Sequence, residues 1–225
     1  MGGQACVFYG AAEFSRDLDL LVLPDPENLR QLTAALEELD AGVIAVPEFR
    51  EEYLRAGHAV HFRCRRPDVQ GLRIDVMSSP RGLAPFDTLW QRRTVLEVDG
   101  ETVDVLAIHD LVLAKKTQRN KDWPMIQRLV EQHYFENHGF ASLPRVEFWL
   151  RELRTPELLI ASASEWPEAA ARLSAGRPPL AAAIAGDRAQ VEATLAQEES
   201  NERAIDRAFW EPLRRELEQL RRGRA

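Results

Sequence analysis

Two aspartates one residue apart inside an apolar run, Asp17-Leu18-Asp19-Leu20-Leu21-Val22, constrain this chain more than any other stretch. On a β-strand, side chains alternate faces, so Asp17 and Asp19 project together while Leu18 and Leu20 point to the packed side. A second apolar run with a single acid, Leu72-Arg73-Ile74-Asp75-Val76-Met77, reads as another strand. Acids converging on a strand suit a hard cation such as Mg²⁺, which takes oxygen ligands. Three carboxylates on neighbouring strands, with Gly2 and Gly3 upstream to approach a phosphate, outline a two-metal phosphoryl-transfer site.

The order Gly2-Gly3, then Asp17-Leu18-Asp19, then Asp75 resembles the GG…DxD…D signature of the DNA polymerase β nucleotidyltransferase superfamily. Downstream, Asp110-Leu111-Val112-Leu113-Ala114-Lys115 and Arg119-Asn120-Lys121-Asp122 resemble a further motif of its abortive-infection, AbiEii-like toxin branch. In the family a strand leads into the glycine pair, a place held here by Met1.

The resemblance implies a polymerase-β-like α+β catalytic domain that transfers a nucleoside monophosphate from an NTP such as ATP to an acceptor hydroxyl. It implies Mg²⁺ or Mn²⁺ on Asp17, Asp19 and Asp75, with Asp75 also serving or positioning the base. Gly2, Gly3, Ser15, Lys115 and Arg119 would then hold the nucleotide. RNA, tRNA in particular, is the acceptor the toxin branch implies, with an antitoxin protein as a further partner. A small molecule of the aminoglycoside type is the competing acceptor, since a cationic drug would be drawn to acids. A degenerate fold kept as a protein-interaction module is the reading outside enzymology.

A net charge of −7 argues against a protein coated in phosphate-binding residues, without excluding a local basic groove. Two cysteines outside any C-x-x-C pair point to a reduced, cytoplasmic setting. No apolar run approaches the ~18 residues of a transmembrane helix, and no charged start precedes an apolar stretch, so no membrane partner is expected.

Helix is expected over Gln4–Tyr9, the metal-bearing strand over Asp17–Leu23, and an amphipathic helix after Pro26, where Leu29, Leu32, Leu36 and Leu39 recur at helical spacing. Glu48–Arg55 reads as a short helix. His58–Arg65 and Leu72–Ser78 form a hairpin-like strand pair. Helix is expected again over Pro85–Arg93, and the Asp99-Gly100 turn joins strands Thr94–Val98 and Thr102–Leu106. Ile108–Thr117 and Trp123–Phe135 read as helices. From Phe140 onward all signals are helical, broken near prolines 144, 156, 167 and 178–179 and at Gly186. The expected division is an α+β catalytic domain over residues 1–138 and a helical domain over 139–225.

Of 29 basic residues only three are lysines, and Lys115, Lys116 and Lys121 fall within seven positions. An ammonium on a flexible stem suits a triphosphate tail, and Lys115 lies on the resembling motif. Ser15 is read either as a phosphate contact or as a loop cap. Asp122 either orients Lys115 or caps the helix beginning at Trp123, with capping favoured by Pro124 in the first turn. The five histidines form no metal set, and Trp149, Trp166 and Trp210 read as core. The last 23 residues hold seven arginines. Over 209–220 they fit an amphipathic helix with Leu213, Leu217 and Leu220 inward, while Arg221, Arg222 and Arg224 are candidates for a nucleic-acid backbone.

Overall fold

The computed structural model describes residues 1–223, and Arg224 lies outside the described residues. The chain divides into two compact units. Among the described residues the first comprises 1–8, 12–114 and 208–223; the second comprises 9–11 and 115–207.

The first unit is α+β. Its helix α1 (Gly2–Phe8) precedes β1 (Asp17–Leu21). Asp25 then caps α2 (Pro26–Glu38), accepting from the Glu27 and Asn28 amides at 3.0 and 3.2 Å, and Pro26 sits in the first turn, where its missing N–H costs nothing. β2 (Ala41–Val43), α3 (Glu51–Arg55), β3 (Val60–Cys64) and β4 (Arg73–Met77) complete a mixed four-stranded sheet in the order β1-β4-β3-β2. β1 and β4 run parallel, while β3 is antiparallel to both β4 and β2.

One face of that sheet is the core. Leu18, Leu20, Val60, Phe62, Cys64, Ile74 and Val76 pack there with Leu29, Leu32, Leu36 and Leu39 at the α2 side and with Leu54 of α3. Along β3 and β4 the buried residues are Val60, Phe62, Cys64, Ile74 and Val76, every second position. The alternation leaves Asp17, Asp19, His61, Arg73 and Asp75 on the opposite face.

α4 (Phe86–Gln91) leads into a separate two-stranded hairpin, β5 (Thr94–Val98) and β6 (Glu101–Val105). Asp99 and Gly100 have φ of 53° and 84°, the two left-handed residues that a tight hairpin turn requires. α5 (Ile108–Lys115) follows, with Asp110 buried and held by Arg92 at 2.7 and 2.5 Å.

The second unit is helical: α6 (Asp122–Asn137), α7 (Leu143–Glu152), α8 (Pro156–Glu165), α9 (Pro167–Ser174), α10 (Pro178–Ile184) and the long α11 (Arg188–Arg222). Residues of α11 up to Arg207 count with this unit and later ones with the first. The prolines open α7 to α10 rather than merely ending their predecessors. Trp149 is fully buried, its ring 5.1 Å from Tyr134 and 5.5 Å from Trp166. Arg177 is buried too, and its two terminal nitrogens donate at 2.7 Å to the Leu150 and Leu153 carbonyls. A cation there satisfies carbonyls that the end of α7 leaves without helical partners.

Cys6 and Cys64 are buried and free of a disulfide. Among the described residues no helix is long and apolar enough to cross a membrane.

Candidate active site

The parallel register of β1 and β4 pairs Asp19 with Asp75 and Asp17 with Arg73. Paired residues in a parallel ladder share a face, so the three expected acids come together on one side of one sheet. β3 brings His61 opposite Asp75 on the other flank.

The glycine pair meets the same acids. Gly2 has φ +70°, and a Cβ built there would lie 1.7 Å from Asp19 Oδ2, so no larger residue fits. The Gly3 amide donates to Asp19 Oδ2 at 3.2 Å, and a Cβ on Gly3 would lie 2.5 Å from Ser15 Oγ. Ser15 in turn donates to the Asp17 carbonyl at 3.0 Å. Gly2, Gly3, Ser15, Asp17, Asp19 and Asp75 are therefore one constellation. Ser15 takes the loop-capping side of its two readings here, since its hydroxyl proton is committed to backbone.

Asp75 is not left bare. Arg73 Nε donates to its Oδ1 at 2.7 Å, and His61 Nδ1 stands 2.8 Å from the same oxygen. An ionised carboxylate only accepts, so Nδ1 carries the proton in that bond. Arg73 Nη2 also lies 3.1 Å from the same Nδ1, so that nitrogen stands between the guanidinium and the carboxylate. Burial pushes the Asp75 carboxyl up, but the His61 and Arg73 hydrogen bonds and charges outweigh it and hold the group below its usual range. Arg73 is raised in turn, chiefly by its bond to Asp75, with Asp17 and Asp19 adding attraction. Neither His61 nor Arg73 stands out in the sequence. The signal was present in part, because Arg73 and Asp75 are two apart on one strand and must share a face.

Lys115 and Arg119 belong to a second network. Asp122, only 2% exposed, has Lys115 Nζ at 3.5 Å from Oδ1, with Thr117 Oγ1 at 2.5 Å and Arg119 Nε at 2.7 Å from Oδ2. Lys115 is itself buried, and Lys116 pairs separately with Glu152 at 2.8 Å. The lysines thus do not gather at one spot. Capping by Asp122 is corrected: the residue lies inside α6, Lys121 occupies the cap position without a side-chain bond, and the carboxylate turns inward to Lys115. Desolvation explains the choice, since a buried ammonium needs an anion more than an exposed helix start needs a cap.

Hard carboxylate oxygens are the right donors for Mg²⁺ or Mn²⁺. Among the described residues no three His, Cys, Asp or Glu side chains form a ready-made metal cage. Asp17 and Asp19 still fit the ion, because Mg²⁺ is held by one or two carboxylates with waters and substrate phosphates completing its shell. Compared with protein-family models, curated proteins and solved structures, the chain has no match.

Proposed function

We propose that this chain is a nucleotidyltransferase that moves a nucleoside monophosphate from an NTP to an acceptor hydroxyl, with pyrophosphate leaving. The first unit is then a polymerase-β-like catalytic domain. The observation that carries the reading is the register of β1 and β4, which sets Asp19 beside Asp75 with the Gly2-Gly3 turn closed against Asp19.

In this reading Asp17 and Asp19 would hold the divalent cation, which would supply shielding of the triphosphate oxygens and of the departing pyrophosphate. Gly2 and Gly3 let the backbone approach the phosphates where any side chain would collide. Asp75 receives the acceptor hydroxyl through Oδ2, the oxygen that His61 and Arg73 leave unengaged. Its depressed pKa makes it an orienting acceptor more than a strong base. RNA, tRNA foremost, is the leading acceptor, an antitoxin the accompanying partner, and a reduced cytoplasm the setting.

One observation favours a second reading. Asp75 is already saturated at Oδ1 by Arg73 and His61, as expected of a degenerate site kept as an interaction module. The deciding experiment supplies each NTP, labelled at the α-phosphate, with Mg²⁺ to total tRNA and to a panel of aminoglycosides. Label carried onto tRNA supports the leading reading, and label on an aminoglycoside moves the acceptor to small molecules. No transfer to either, from folded protein, leaves the interaction module.

A further inference from the structure

Arg154 stands in the short connection between α7 and α8 of the helical unit, its side chain only 8% exposed and its guanidinium 4.6 Å from the centre of the Trp123 ring. Nη2 donates to the Leu195 carbonyl of α11 at 2.8 Å. Nε and Nη1 make no hydrogen bond to any described residue, yet neither is sealed from solvent. Both open onto the space that Arg154 helps to line, a cleft of about 460 Å³ walled by Trp123, Pro124, Pro156, Leu195 and Ala196. We propose that this cleft binds a compact organic anion, a carboxylate or phosphate monoester on an apolar body, with Arg154 as its anchor. The inference is independent of the nucleotidyltransferase reading.

The acids nearby do not occupy the guanidinium. Glu198 Oε1 is 3.6 Å from Nη1 and Glu199 Oε2 is 3.7 Å from Nη2, both beyond hydrogen-bond distance. Each is also shared with a second arginine: Glu198 stands 3.4 Å from Arg177, and Glu199 stands 2.5 Å from Arg203. Burial lowers the Arg154 pKa, and attraction from Glu198, Glu199 and Glu152 does not make up the loss. A guanidinium carries five donors, so one hydrogen bond leaves this buried cation with a desolvation cost that an incoming oxyanion would offset. The walls define the rest of the ligand. Their size suits a small molecule, and the indole, prolines and Leu195 suit an apolar body. Glu192, paired with Arg188 at 3.0 Å, and Glu199 line the same cleft, so one negative charge is tolerated better than several.

The test is calorimetric titration of sodium benzoate into the full chain, with benzamide as the neutral isostere and phenyl phosphate as the phosphate arm. Wild type is expected to bind benzoate, and benzamide on the order of tenfold more weakly or less. Tighter binding of benzoate than of phenyl phosphate assigns the anchor to carboxylates, and the reverse order assigns it to phosphate monoesters. Arg154→Gln should weaken benzoate binding on the order of tenfold or more. Ala196→Trp, at an exposed helical position on the cleft wall, should block benzoate with Arg154 still in place, which keeps the test decisive should Arg154→Gln not fold. Circular dichroism confirms the fold of each variant. The proposal is overturned if benzoate fails to bind wild type at millimolar concentration, if benzamide binds as tightly, or if benzoate binding is undiminished in folded Arg154→Gln or in Ala196→Trp.

Discussion

Asp19 and Asp75 are Cα partners on the parallel strands β1 and β4. Neighbouring strands lie ~4.8 Å apart, so the two carboxylates start from adjacent points on one face. Asp17 is two residues back along the same strand, opposite Arg73. The three acids meet through one register, and a one-residue slip of β1 would send Asp17 and Asp19 to the apolar face.

Gly2→Ala tests how tightly that constellation is closed. A Cβ would overlap Asp19 Oδ2, and the backbone φ of +70° is unfavourable for alanine by about 1–2 kcal/mol. The variant is expected to melt at lower temperature and to lose Mg-NTP binding. Gly139→Ala, where a Cβ meets nothing within 4 Å, is expected to leave both unchanged. Equal NTP affinity in Gly2→Ala and wild type would show that the turn does not cradle the nucleotide.

Lys115 is predicted to matter for stability before it matters for phosphate. Lys115→Ala removes a buried partner of a buried carboxylate, at a cost of about 1–3 kcal/mol in urea unfolding. Arg119→Ala removes a partner that is 56% exposed and should cost under about 1 kcal/mol. Equal urea midpoints for the two variants would contradict a structural role for Lys115. NTP titration of the folded Lys115→Ala protein then measures any phosphate contact separately.

Acid stability should depend on Glu147. Hydrogen bonds from Arg172 and then Arg151 hold its carboxyl below the ordinary 4.5. A depressed folded-state pKa gives stability that is complete above the unfolded value and is lost as pH falls through the folded one. Between about pH 5 and pH 3 the wild-type unfolding free energy should therefore fall more steeply than that of Glu147→Gln. Parallel curves across that window would show that the arginines contribute nothing there.

The elements readable in the sequence are those fixed by local chemistry. Asp99-Gly100 announces its hairpin because two consecutive left-handed residues are rare outside that turn. Pro26 and the leucines of α2, and the alternation of β4, are equally local. β2 is not legible in the sequence, because Ala41-Gly42-Val43 is too short to show a period. The helix expected from Glu48 begins later, as α3 runs Glu51–Arg55 after an extended Arg50. At the site, the two-residue spacing of Asp17 and Asp19 was legible, and the constellation of acids and glycines is where that spacing leads. The His61 bond was not, because cross-strand neighbours depend on the β3–β4 register, which no single stretch encodes. Asp122 was misread for the same reason: its partner Lys115 is seven residues away, and burial decided between them.

Isothermal titration of Mg-NTP into wild type and into Asp17→Asn/Asp19→Asn tests the central claim most directly. The acids carry the cation in this account, so wild type should bind and the double variant should show no metal-dependent binding. Its melting temperature should equal or exceed that of wild type, because two mutually repelling charges are removed. Unchanged Mg-NTP binding by the folded double variant, or a markedly lower melting temperature, would mean that Asp17 and Asp19 hold the fold and not a nucleotide.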